Sequence, residues 1–421
     1  MSHRLHTYCM AAWLGGASVT LHGQANPTLV NSASTVASQL PRPSGPFGIG
    51  RVGYDWIDAS RADRFISEAH RELMVYVWYP TSGKDRDRKG VYLPGARQMD
   101  ANPQIQRIMR DDEEASWPLI ASGAVSSHAV ENAPFPKSPQ RFPVILFSHG
   151  AGGSGFEYTS LLEDLVSHGY IVAAIEHTET ANAVWFPDGR LIPARQDAPQ
   201  PGLSPAQQFK KMMESASVGI NEGAADVRFV LDRLTALNAG DTRVFLPAGR
   251  LDLNHVVAMG HSAGAEFAAR ACQLDPRFKA CVDLDGGMVP VAALPEYPDG
   301  AKLRQPLLFL EAYHPESRMG GSHEQQAEYV KKREAQLRDC PAGTYAVVLR
   351  SSGISHGSFS DYFVLAAGNR PEEMRTALHN LDLVERYVLA FLDRTLNGAP
   401  EPVLDGAAGG TSEVEVQPYG R

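Results

Sequence analysis

Hydrophobic residues in this chain fall into short unbroken runs that alternate with longer amphipathic stretches. Leu73 to Tyr79 (Leu-Met-Val-Tyr-Val-Trp-Tyr) reads as a strand that stops at Pro80. Phe142-Pro-Val-Ile-Leu-Phe147 is a second apolar run. Phe156 to His168 then places Tyr158, Leu161, Leu162 and Leu165 on one helical face, with Gly169 as its stop. Tyr170 to Ile175 is the next buried strand. Gln208 to Leu237 reads as one long helix, with Gly219 and Gly223 as the points where it could break. Val256 to Met259 is a strand, Ala263 to Cys272 a helix of small residues, and Ala280–Leu284, Pro306–Leu310 and Tyr345–Leu349 are further strands. Leu381 to Thr395 is a closing amphipathic helix. Apolar strands alternating with helices predict an α/β fold, a mostly parallel central sheet covered by helices on both faces. In such sheets the functional site sits at the carboxyl ends of the strands.

The same pattern sets the expected boundaries. A catalytic domain spans 49–398, with cap or loop insertions at about 84–140 and 178–215. Residues 26–48, rich in Ser, Pro, Asn and Thr, read as a flexible leader, and 399–421 as a loose tail. Within the second insertion, Asp188-Gly189 between apolar residues suggests a hairpin. Its Trp185 and Phe186 are candidate substrate-binding residues, and a packed hairpin is the competing expectation.

Composition narrows the partners. The 421 residues are 43% hydrophobic and 21% charged, with a net charge of −9. No broad basic surface suits nucleic acid, whereas membrane contact and oligomeric state stay open. The first 25 residues have the features of a signal peptide: Arg4, an apolar run from Cys9 to Leu21 and a small-residue end at Gly23-Gln24-Ala25. The run is too short to span a bilayer. A secreted or periplasmic protein is expected. Export leaves Cys272, Cys281 and Cys340, an odd count beside core elements. Buried thiols are expected there, with one disulfide of unspecified pairing still open.

The chemistry is carried by Gly260-His261-Ser262-Ala263-Gly264, which follows a strand and opens a helix. That is the context in which a G-x-S-x-G serine is a nucleophile, its hydroxyl exposed on a sharp turn. A serine hydroxyl needs a base. His356, in a loop just past the last central strand, is the candidate. His314 and His323 compete from a polar segment, and His261 is expected to point away at the turn. The acid is Asp285 or, one strand later, Glu311, with Glu316 further on. Asp285 is favoured because it opens the turn Asp285-Gly286-Gly287 towards the site, although it could merely cap that turn. Asp283 lies deeper in the sheet.

A second motif points elsewhere. Gly150-Ala151-Gly152-Gly153-Ser154-Gly155 matches the dinucleotide-binding G-x-G-x-x-G, with an acid, Glu176, at the end of the next strand. However, Ser148-His149 separates the strand from the first glycine, and a dinucleotide site leaves Ser262, Asp285 and His356 without a role. A hydrolase uses the same loop for its oxyanion hole, which would be formed by the Ala151 and Ala263 N–H groups.

Taken together, Val75–Pro80, Phe142–Gly150, Ser167–His177, Met259–Gly264, Leu284–Gly286 and Ser355–Asp361 resemble the plasma-type platelet-activating-factor acetylhydrolase family and its bacterial relatives, a branch of the α/β-hydrolase superfamily. The resemblance implies Ser262 as nucleophile, Asp285 as acid, His356 as base, and oxyanion donors at Ala151 and Ala263. It also implies a calcium-independent reaction with no cofactor and no metal. The chain departs from the family at Ala263, where a bulky residue is frequent, and across both insertions, so the alcohol side of the substrate is the least transferable feature. The expected activity is carboxylic-ester hydrolysis through an acyl-enzyme on a small-molecule or lipid ester. Bulky non-lipid esters (phthalates, polyester fragments, secondary metabolites) and amide or peptide bonds are alternatives. A binding protein on a retired hydrolase fold fits poorly with three intact catalytic residue types.

Overall fold

The computed structural model describes residues 40–82, 89–106, 116–178, 180–194, 202–240, 246–287, 302–313, 323–405 and 412–420. The expected signal peptide lies outside the described residues, as do His314 and Glu316.

In chain order the elements are strands β1 (Gly48–Ala62), β2 (His70–Thr81) and β3 (Gly90–Val91), helices α1 (Ala96–Asp100) and α2 (Trp117–Ser122), and strands β4 (Ser126–Ser127), β5 (Val130–Glu131) and β6 (Phe142–Ser148). Helix α3 (Thr159–Ser167) and β7 (Ile171–Glu176) follow, then the hairpin of β8 (Ala183–Trp185) and β9 (Leu191–Pro193). The second half contains α4 (Pro205–Asn238), β10 (Leu251–His261), α5 (Ala263–Leu274), β11 (Phe278–Leu284), β12 (Leu307–Ala312), α6 (His323–Asp339), β13 (Thr344–Leu349), α7 (Tyr362–Ala367), α8 (Pro371–Asn397) and β14 (Val414–Tyr419).

Ten of these strands form one sheet in the order β14-β13-β12-β11-β10-β6-β7-β2-β1-β5. From β7 to β13 all neighbours are parallel. β2 joins β7 antiparallel, and β14 joins β13 antiparallel. The chain crosses from β6 to β7 and then returns past β6 to β10, so β10 pairs with β6 near the middle of the sheet.

Alternating side chains explain why the strand sequences are apolar throughout. Along β6, Ile145 and Phe147 face the core formed with Leu161 and Leu165 of α3 and Val384, Val388 and Phe391 of α8. Val144 and Leu146 face the opposite core, with Val227, Val230 and Leu234 of α4 and Ala268 and Cys272 of α5. A strand buried on both faces shows no polar alternation, so it reads as a continuous run.

Several expectations need revision. Helix α4 runs unbroken through Gly219 and Gly223. At Gly223 the absence of a side chain admits the Phe267 ring, which an added Cβ would meet at 2.3 Å. The described end of the leader is packed: Leu40 is buried and Ser44 bonds Asp164 of α3. The C-terminal tail is also structured, since β14 covers the β13 edge and Leu404 is fully buried. Cys272, Cys281 and Cys340 are buried free thiols, as expected, and the one disulfide left open does not form among them. Tyr92, Met99, Ile105, Trp117 and Ile120 of the first insertion form an apolar cluster with Leu40, Ala183 and Leu365.

Candidate active site

Strands β10 and β11 are parallel neighbours, so their carboxyl ends lie side by side. Each is followed by a non-glycine residue with a positive φ: Ser262 at 55° and Asp285 at 52°. Such conformations cost roughly 1–3 kcal/mol each and persist only when the surroundings enforce them. Here they do. Ser262 N–H donates to Leu284 O at 3.0 Å, and Asp285 N–H to Leu310 O at 2.7 Å.

The turn at Ser262 depends on its flanking glycines. A Cβ at Gly260 would lie 2.2 Å from Gly264 O, and one at Gly264 only 2.1 Å from Ser148 O. The start of α5 is thereby pressed against the end of β6. The glycine loop after β6 is brought to the same place, because a Cβ at Gly150 would touch Ser262 Cβ at 3.3 Å. Ala151 therefore stands beside the first turn of α5, whose leading residue is Ala263 and whose dipole end is positive.

The two acids at the end of β11 have separate tasks. Asp283 caps the turn, accepting Gly286 N–H on Oδ1 at 2.8 Å. Asp285 is left for His356: its Oδ1 accepts Ala312 N–H at 3.0 Å, and its Oδ2 lies 2.8 Å from His356 Nδ1. The carboxylate accepts, so Nδ1 bears the hydrogen and Nε2 of a neutral ring is left basic. Glu311 is engaged elsewhere, with Arg333 Nη1 at 2.7 and 2.9 Å from its two carboxylate oxygens. His323 begins α6.

His261 does not point away from the site. Its ring packs against His356, with centroids 4.3 Å apart and the planes tilted by 36°, and its Nε2 lies 3.1 Å from His356 O. Position beside a sharp turn could not reveal this. His261, Asp285 and His356 lie close enough together to raise the question of a metal. The donor set does not suit one. Both His261 nitrogens are engaged, by Tyr158 Oη and His356 O, and His356 Nδ1 is taken by Asp285.

Sequence reasoning also missed the supports of the glycine loop. His149 is fully buried. Its Nδ1–H donates to Gly150 O at 2.8 Å and its Nε2 accepts His177 N–H at 3.2 Å. Burial and the neighbouring His177 push its pKa down to about 3, which keeps it neutral. Glu176, the acid of the dinucleotide pattern, is buried and accepts Gly155 N–H at 2.8 Å. It is therefore turned into the loop's own backbone and away from any ribose. Asp361 joins the His356 loop to two other segments, accepting Ser160 N–H of α3 and the hydroxyl of Tyr92 from the insertion.

The hairpin residues divide. Phe186 is completely buried in the main core, with the Arg190 guanidinium 4.8 Å from its ring centre, so it lines no substrate surface. Trp185 is half-buried and lies over Gly95, where a Cβ would meet its ring at 2.7 Å. The packed hairpin accounts for Phe186, whereas Trp185 stays partly exposed at the surface.

Comparison with known proteins identifies the family and the fold. The sequence model of the family described as "Platelet-activating factor acetylhydrolase, isoform II" matches residues 32–397. A platelet-activating factor acetylhydrolase of Cavia porcellus is 27% identical over 385 residues, covering 85% of this chain and 78% of that protein. A probable 1-alkyl-2-acetylglycerophosphocholine esterase of Arthroderma benhamiae is 24% identical over 91% of this chain and 95% of its own length. Among solved structures, a ferulic acid esterase from Streptomyces cinnamoneus superposes with a TM-score of 0.68 at 27% identity, covering 91% of this chain and 100% of that one. The chain belongs to the platelet-activating factor acetylhydrolase isoform II family, and it is a carboxylic ester hydrolase with an α/β-hydrolase fold.

Proposed function

We propose that the protein is an exported serine esterase in which Ser262, His356 and Asp285 form the catalytic triad. The carrying observation is the 2.8 Å contact between His356 and Asp285, beside a serine held at φ 55° at the end of the neighbouring strand. Ser262 Oγ attacks the ester carbonyl while His356 Nε2 takes its proton. Asp285 orients the ring and stabilises the imidazolium without being protonated. Ala151 and Ala263 N–H groups receive the developing oxyanion. His356 then protonates the leaving alcohol, giving an acyl-enzyme, and a water activated by the same histidine releases the acid. The sequence start supports a secreted or periplasmic location.

The family favours an ester with a short acyl group on a phospholipid-like alcohol. A second reading is an ester of a bulky aromatic acid. The ferulic acid esterase likeness favours it, and the small Ala263 beside the nucleophile leaves acyl room. A panel of esters varied separately in acyl and alcohol size, each with its matched amide, distinguishes these readings. Ser262→Ala should lower kcat by roughly ten-thousand-fold or more and abolish fluorophosphonate labelling. Full turnover by that variant overturns the proposal.

A further inference from the structure

A directed chain of hydrogen bonds runs beneath the site. Gly150 N–H donates to Tyr158 Oη at 3.3 Å, and Tyr158 Oη lies 2.8 Å from His261 Nδ1. At its other end His261 Nε2 lies 3.1 Å from His356 O. A carbonyl oxygen only accepts, so Nε2 carries the ring hydrogen. Nδ1 of the neutral ring then accepts the phenol hydrogen, which leaves Tyr158 Oη to accept from Gly150. Tyr158 is fully packed, and burial pushes its pKa up, so the phenol keeps its proton.

Packing reinforces the chain. The His261 ring packs against His356, with centroids 4.3 Å apart, and against Phe359, at 5.5 Å and nearly parallel at 23°. Gly150 fits so closely that a Cβ there would lie 3.2 Å from His261 Nδ1 and 3.4 Å from Tyr158 Oη. One end of this bridge is the loop that carries Ala151. The other is the backbone of His356 itself. Proton transfer to His356 and charge on the oxyanion develop in the same step, so the spacing of the two loops governs the rate.

We propose that His261 is a positioning residue. It sets the distance between the Ala151 loop and the His356 loop, through Tyr158 on one side and the His356 carbonyl on the other. This rests on the triad reading above.

The test compares His261→Phe, His261→Gln, Tyr158→Phe and the double variant His261→Phe/Tyr158→Phe with wild type, beside Ser262→Ala. His261→Phe keeps a packed ring and loses both bonds. Its kcat should fall roughly 30-fold or more, with KM changed by less than about threefold. His261→Gln, which retains a donor and an acceptor, should regain part of that loss. Because Tyr158 acts through His261, the double variant should be no worse than His261→Phe within about twofold. If His261→Phe does not fold, the kcat-specific loss is read in Tyr158→Phe and His261→Gln. Wild-type kcat in the folded variants, or losses that multiply in the double variant, overturns the bridge. If Ser262→Ala is inactive in the same assay, that failure belongs to the bridge alone. If Ser262→Ala turns over, the triad reading fails and the bridge with it.

Discussion

Asp285 Oδ2 lies 2.8 Å from His356 Nδ1, whereas Glu311, one strand further along the sheet, is held by Arg333. The two acids should therefore respond differently to loss of charge. Asp285→Asn should lower kcat roughly 10³–10⁴-fold, because the amide no longer fixes the productive tautomer of the base. Glu311→Gln should leave kcat within about threefold of wild type, since it disturbs only a partly exposed ion pair. Steady-state kinetics on one ester substrate decides between them.

Glu176 makes the fold sensitive to pH. Burial raises its pKa from 4.5 to about 7, against the opposing Gly155 and Ser154 hydrogen bonds. A carboxyl whose folded pKa is raised binds its proton more tightly in the native state, so its contribution is present below pH 4.5 and is lost as pH rises through 7. Glu176→Gln keeps an acceptor for Gly155 and cannot ionise. Relative to wild type it should gain roughly 3 kcal/mol of stability between pH 4 and pH 9, read by urea unfolding at the two pH values. Because the wild-type carboxylate is spent on Gly155, NAD should leave the unfolding midpoint unchanged in both proteins.

One substitution should have opposite signs at two glycines. Gly264→Ala drives a methyl group to 2.1 Å from Ser148 O and 2.5 Å from His149 O, both backbone atoms. It should cost about 3 kcal/mol or more and abolish activity. At Gly219, within α4, an added Cβ meets nothing within 4 Å. Gly219→Ala should stabilise by about 1 kcal/mol through helix propensity alone. Denaturant melts of the two variants measure both effects.

Strand β14 should prove necessary for solubility. It covers β13, buries Val414 and Tyr419, and ties Tyr419 Oη to Glu334 of α6 at 3.0–3.1 Å. A chain ending after Asp405 leaves the β13 edge unpaired. Such edges template association, so the truncated protein should elute as aggregates in size-exclusion chromatography where the full chain does not.

Much of this arrangement was legible in the sequence, for identifiable reasons. Strands buried on both faces write themselves as apolar runs, which located β6, β7, β10, β11, β12 and β13. The strand–Ser262–helix context needed only local order. The choice between Asp285 and Glu311 did not yield to local order, because both end strands. The contacts differ: Asp283 caps the turn and Arg333 holds Glu311, while Asp285 meets His356, which favours Asp285 as the acid. His261 was misread because neighbours in sequence give no direction for a side chain at a kinked turn. Phe186 looked like a pocket residue because apolar residues in an insertion resemble a lining until their packing is known. β14 was missed because Val-Glu-Val-Gln is too short, beside a Gly-rich stretch, to carry a strand signal of its own.

The buried free thiols carry a last consequence. Cys272, Cys281 and Cys340 sit in the core; a hydrogen bond with Cys272, and then burial, raises the pKa of Cys281, and burial raises that of Cys340. Thiols shielded and kept protonated are poor substrates for oxidants and exchange reagents. Among the described residues dithiothreitol has no covalent link to cut.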